Sequence, residues 1–259
     1  NNYAGLARDD DADATGFAAR RAQAYQAWWE HTPTRLPAPV GEERYEIYRG
    51  AEFGGLVRLS LLDGRQFRSD QECGDVTLST DPPCVEVFDA DRTMLGSEQE
   101  AWLAEQFATS TARWNVVGQQ TIMTDVRLNG AILNYDQWDG YPAARDRVLA
   151  AAPPDLVVIT GDIHLAGVGT LGGAGVEFVT TAISSTANVD PSFEDLVRSL
   201  ENIVDAELVY RGYTRHTIAR DRWTAEYRIV DDIASPTSTI STWKTFTVGH
   251  GTNQAVATT

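Results

Sequence analysis

The residues best suited to chemistry sit at the end of an apolar run, where Leu156-Val157-Val158-Ile159-Thr160 is followed at once by Gly161-Asp162-Ile163-His164. In an extended backbone Asp162 and His164, two positions apart, project to the same side. A carboxylate and an imidazole so placed suit a hard or borderline cation. Parallel α/β sheets collect ligand-binding groups at the carboxyl ends of their strands, where the turn is open and the strand behind it is rigid. A second acidic candidate is Asp139, within Asn134-Tyr135-Asp136-Gln137-Trp138-Asp139-Gly140-Tyr141-Pro142 and 23 residues before Asp162. One helix and one strand fit that interval, so a crossover brings Asp139 back beside the next strand end. The spacing predicts that Asp139, Asp162 and His164 converge on a metal. The plainer alternative is a Gly-Asp turn with a hydrogen-bonded structural histidine.

Other reactive side chains are few. Arg65 and Arg68, in Gly64 to Asp70, follow a predicted strand and could face an anion, with ordinary surface arginines as the alternative. His31, His216 and His250 read as structural or solvent-facing. Ser184-Ser185 follows a strand but lacks the glycine-flanked elbow of a nucleophilic serine. Cys73 and Cys84, the only cysteines, are spaced to close a short loop by a disulfide in an oxidising compartment, two free thiols being the alternative.

The elements that must position these groups can be read from periodicity. Gly16 to Trp29 predicts a helix with Thr15 as its N-cap, and Ser97 to Phe107 another, with Ser97 and Glu100 as a capping box. Tyr45 to Arg49 and Leu56 to Asp63 predict two strands joined by a turn from Gly50 to Gly55. A strand from Arg113 to Met123, a helix from about Tyr141 to Ala151 and the strand ending at Thr160 form a strand–helix–strand unit, hence a parallel pair. Val176 to Ile183 reads as a further strand, and Gly212 to Thr217, Trp223 to Val230 and Trp243 to Val248 alternate as antiparallel strands do.

Composition bounds the function. With 259 residues, 42% of them hydrophobic, the chain can bury a substantial core. Its 37 acidic against 21 basic residues give a net charge of −16, which disfavours nucleic acid and anionic lipid as partners. No stretch is long and apolar enough to span a membrane. An anionic substrate would need local positive charge from metals or a few arginines.

Several segments in one order then give the chain a likeness: Asn1 to Gly5, Ala19 to His31, Leu62 to Asp70, Arg92 to Gly96, Trp114 to Gln120, Trp138 to Pro142 and Thr160 to His164. The sequence resembles the PhoD-like alkaline phosphatases and phosphodiesterases, within the calcineurin-like metallophosphoesterases. That resemblance implies a four-layer α/β/β/α sandwich and an extracytoplasmic enzyme that uses Fe3+ and Ca2+ to hydrolyse phosphate mono- and diesters. It makes Asp139 the ligand of a Trp-Asp-Gly-Tyr motif and Asp162 and His164 the ligands of a Gly-Asp-x-His motif. Asn2, or Asn1, matches the asparagine after the family's Asp-His-Glu motif, which contacts metal or phosphate. Arg65 is the candidate phosphate contact. The family's earlier ligands, including a cysteine and a Gly-Asp motif, have no counterpart here, and neither Cys73 nor Cys84 stands in the ligand-cysteine position. Residues 1–259 therefore read as the C-terminal part of such a catalytic domain. A degenerate binding module that keeps the fold is the rival reading, and a lectin-like sugar or phosphate binder a third.

Overall fold

The computed structural model describes residues 16–186 and 189–258. Along the chain run α1 (Phe17–His31), β1 (Arg49–Phe53), β2 (Val57–Leu61), the short turn α2 (Glu72–Asp75), α3 (Ser97–Ala108), β3 (Trp114–Gly118), β4 (Arg127–Leu128), β5 (Ala131–Ile132) and α4 (Pro142–Ala151). There follow β6 (Leu156–Thr160), β7 (Ala166–Thr170), β8 (Gly175–Val179), α5 (Glu194–Ser199), β9 (Ile203–Glu207), β10 (Arg211–Ile218), β11 (Arg222–Val230), β12 (Ile240–Gly249) and β13 (Ala255–Ala257).

A seven-stranded sheet in the order β1-β2-β3-β6-β8-β7-β9 faces a four-stranded sheet β10-β11-β12-β13. The centre of the larger sheet, β2, β3, β6 and β8, is parallel. Its inner face sends Trp114, Val116, Val157 and Phe178 against Trp223, Tyr227 and Phe246 of the smaller sheet. Its other face packs Val117, Leu156 and Val158 against Leu103 and Phe107 of α3 and Ala144 and Val148 of α4. Strands buried on both faces are apolar throughout, which is why β6 is legible as a continuous Val/Ile/Leu run. The expected two-sheet α/β sandwich is present. On the far side of the small sheet Tyr213 and Arg215 are exposed, so a fourth, helical layer there is not among the described elements.

Local departures have local causes. The first strand is Arg49–Phe53, not Tyr45 to Arg49, because the hairpin turns at Gly54 (φ 56°) and pairs Phe53 with Val57. Tyr45 is instead buried and held through its backbone by the Gln66 amide, at 3.2 and 2.8 Å. Ser97 is the first helical residue rather than a cap. Gly96 is the N-cap, with no side-chain cap bond, and Glu100 accepts from the Thr93 hydroxyl, which in turn accepts from the Gly96 amide at 2.8 Å. Thr15 lies outside the described residues, and α1 starts with no side-chain cap at Gly16. Strand β3 stops at Gly118 and β8 at Val179, both shorter than their apolar patterns. The glycine-rich β7 was not foreseen; its pairing with β8 and β9, and not its propensity, makes it a strand.

Cys73 and Cys84 form a disulfide. Its loop packs on Val87, Ile132 and Tyr135 and hydrogen-bonds the 133–135 segment, with the Tyr135 amide donating to Thr77 O at 2.9 Å. The bridge thus braces the backbone that leads into Asp136, besides closing a surface loop.

Candidate metal and phosphate site

Strand β6 lies between β3 and β8, and an open cleft of about 510 Å³ runs across the carboxyl ends of the parallel strands. Leu62, Gly118, Gln119, Gln120, Thr160 and Thr180 line it, with Thr214 and His216 of β10 opposite. Beyond Thr160 the chain leaves the sheet abruptly. Asp162 (φ 71°) and His164 (φ 61°) both adopt left-handed backbone, with the Ile163 amide donating to Gly161 O at 2.9 Å. The same-side argument for an extended backbone therefore does not apply to this pair. The turn is made so that Ile163 and Leu165 can pack against Val179, Ala206 and Leu208. Asp and His are among the non-glycine residues that tolerate this backbone.

Each side chain of the pair is held from behind. The His164 Nδ1 lies 2.9 Å from Thr186 O. A carbonyl only accepts, so Nδ1 carries the proton and Nε2 presents its lone pair, as a metal-binding imidazole requires. The His164 carbonyl in turn accepts from buried Arg211 at 2.9 Å. The Asp162 Oδ2 accepts from the Gln137 amide at 3.1 Å, and its Oδ1 is 3.8 Å from the Arg65 guanidinium. Two partly accessible donors, a carboxylate oxygen and an imidazole nitrogen, fit a hard or borderline cation in kind but not in number. Among the described residues no group of three or more His, Cys, Asp or Glu could hold a metal. Asn1 and Asn2 lie outside the described residues.

Arg65 forks onto Asp136 at 2.6 and 2.8 Å, and buried Arg68 reaches the same carboxylate at 2.9 Å. Burial pushes the Asp136 carboxyl up, but the hydrogen bonds and charges of the two arginines outweigh it and hold it below the usual range. Two guanidinium groups thus converge on Asp136, and one of them also faces Asp162.

Asp139 takes a different place from the one its spacing predicts. Within the 3-10 turn Trp138–Gly140 it is buried, one oxygen against Arg145 and the other accepting from the Val126 amide at 2.9 Å. Arg145 also pairs with Asp125 at 3.1 Å. Burial raises the Asp139 carboxyl to about 7 despite Arg145. Gln137, not Asp139, makes the link to Asp162. Gly140 of the same motif is required sterically, since a Cβ there would lie 2.1 Å from Tyr135 O.

The structure therefore brings Arg65, Asp136, Gln137 and Asp162 together in one contact network, with His164 two residues on. Asp136 and Gln137 stood inside the segment read for Asp139, but nothing in their spacing distinguished them. Of the other histidines, His216 is wedged between Phe178 and Trp223 and accepts from the Trp223 indole at 3.0 Å. Burial pushes its pKa down to about 4. His250 pairs with buried Asp155 at 3.1 Å. Both roles are structural.

The sequence model described as PhoD-like phosphatase matches residues 1–227. The chain belongs to the PhoD-like phosphatase family. Alkaline phosphatase D of Bacillus subtilis (strain 168) is 34% identical over 264 residues, an alignment that takes in 95% of this chain and 45% of that protein. A solved structure of PhoD superposes with a TM-score of 0.91 at 32% identity, covering 100% of this chain and 52% of that one. The chain spans about half the length of these PhoD relatives. Membership of the PhoD-like phosphatases, first visible in ordered motifs, thus extends to the backbone of the whole sandwich and to the Gly161–His164 turn it presents.

Proposed function

We propose that this chain supplies part of the active site of an alkaline phosphatase or phosphodiesterase that hydrolyses phosphate mono- and diesters. What carries the reading is the Asp162–His164 turn, where a carboxylate backed by Gln137 and an imidazole fixed in its Nε2-binding tautomer stand at a parallel strand end. The remaining donors are Asn2 and groups from the further sequence that the relatives carry. Fe3+ and Ca2+ are the cations the family likeness implies; once bound they supply positive charge to phosphoryl oxygens and acidify water.

The chain's own residues have distinct parts. Asp162 and His164 are the ligands. Arg65, anchored by Asp136, holds a phosphate oxygen near Asp162 in a fixed orientation. Asp139 is better suited to positioning than to ligation, because both its oxygens are engaged by Arg145 and Val126. An open cleft runs along the same strand ends and includes Thr160, two residues before Asp162. The Cys73–Cys84 disulfide supports an extracytoplasmic location.

The test is hydrolysis of p-nitrophenyl phosphate and bis(p-nitrophenyl) phosphate by the full-length protein, before and after chelation. Asp162→Asn and His164→Ala should each lower turnover by more than about a hundredfold, the upper end of what losing a group behind the ligands costs, with the fold kept. Wild-type turnover in both variants, or turnover indifferent to chelator, would sink the assignment. The rival binding module draws support from the missing third acidic ligand among the described residues. It predicts bound metal without turnover in the wild-type protein.

A further inference from the structure

One ionisable side chain, wholly inside the sandwich, belongs to none of the roles above. Glu177 is the only ionisable residue of β8, whose sequence is Gly-Val-Glu-Phe-Val, and it is 0% exposed. Its carboxyl accepts from the Thr160 hydroxyl at 2.6 Å, the Thr124 hydroxyl at 2.7 Å, the Thr124 amide at 2.7 Å and the Met123 amide at 2.9 Å. All four donors are neutral. An apolar residue would suit this strand better, because burying a carboxylate is costly unless it is hydrogen-bonded. It would, however, orphan two buried amides and two hydroxyls at the point where the chain leaves β3.

The donors come from the two segments that frame the Asp162 turn. Thr160 ends β6, two residues before Asp162. Met123 and Thr124 belong to the irregular loop after β3, in which the Ile122 amide donates to the Gln137 side-chain Oε1 and the Gln137 side-chain amide reaches Asp162 at 3.1 Å. Thr160 also accepts from Gln119 at 3.1 Å, and Gln119 accepts from the Trp138 indole at 3.0 Å. Glu177 is thus joined to Asp162 both along the chain and through Gln137. The neighbouring strand makes room for this arrangement. Gly169 is the register partner of Glu177, and a Cβ there would lie 2.2 Å from the Thr124 hydroxyl.

We propose that Glu177 is a positioning residue for the Asp162–His164 turn, an internal carboxyl group that fixes the end of β6 and the 122–124 loop against each other. It deepens the phosphoesterase reading and rests on it only for the importance of the turn. The full-length protein is compared with Glu177→Gln, which presents an amide to donors that need an acceptor, and with the near-isosteric Thr160→Val, which cuts the link to β6 alone. Asp155→Asn, a buried carboxylate at the opposite end of β6, is the control. Three quantities are read: hydrogen exchange across residues 158–165 in metal-free protein, affinity for Co2+ by its visible ligand-field band, and kcat and KM on bis(p-nitrophenyl) phosphate.

Both test variants should exchange faster across the turn and bind Co2+ about tenfold more weakly, as loss of a group behind metal ligands does. They should lose about tenfold in kcat with KM within about twofold, the pattern of a geometry needed at the transition state. Asp155→Asn should melt earlier and keep the Co2+ band and kcat. Wild-type exchange and Co2+ affinity in Glu177→Gln, or equal losses in Asp155→Asn, would overturn the proposal. Should Glu177→Gln not fold, Thr160→Val decides by the same readings. If the wild-type protein neither binds Co2+ nor turns over, the phosphoesterase reading fails, while exchange in the metal-free variants still decides whether Glu177 positions the turn.

Discussion

Asp136 is the residue on which the positive side of the site depends. Its oxygens accept from both Arg65 and Arg68, and the Arg68 side chain is 0% exposed. Removing the negative charge takes one partner from a buried guanidinium, and breaking a buried pair on one side costs far more than the intact pair contributes. Asp136→Asn should therefore lower stability by about 3 kcal/mol, the scale for breaking a buried pair on one side, read as a shift in urea midpoint. It should also weaken inorganic phosphate as a competitive inhibitor of the full-length protein, because Arg65 loses the anchor that aims it. An unchanged midpoint would mean that another anion takes over. At this scale the sequence named Arg65 as a candidate and left Asp136 without a role. Arg65 and Asp136 are 71 positions apart, and no local pattern reports a contact at that range.

Among elements, the disulfide loop shows how a feature legible in sequence gains a role only from its neighbours. The cysteine spacing is enough to suggest the bridge. That the loop pairs Leu78 with Asn134 and so steadies the approach to Asp136 is tertiary information. The double variant Cys73→Ser, Cys84→Ser should lose about 3 kcal/mol, the figure for a loop of this size, and exchange amides faster at 133–136. Loss of stability without faster exchange there would confine the bridge to the loop it closes. The bounds of α3, α4 and β6 are readable in the sequence to within a residue or two. The strand β7 is not, because Ala-Gly-Val-Gly-Thr has the composition of a loop and becomes a strand by pairing on both edges.

For the whole molecule, the sandwich holds together through two apolar cores on opposite faces of one sheet, while the surface carries the net charge of −16. Self-repulsion of that charge opposes compaction, and salt screens it within about 10 Å at 0.1 M. The urea midpoint should rise between about 20 mM and about 0.5 M NaCl as screening shortens. A fall would mean that exposed ion pairs such as Arg215–Glu226 matter more than the overall excess of acid.

By itself the sequence determined the α/β class, the parallel unit around β6 and, through ordered motifs, the family, and it suggested the disulfide. Each is written in local periodicity or in residue types at short spacing. Only the tertiary structure decided that Asp139 faces Arg145, that Gln137 backs Asp162, that the Asp162–His164 backbone is left-handed and that Glu177 lies beneath it. Those facts depend on which distant segments pack together, and burial and long-range hydrogen bonding settle that with no local signature.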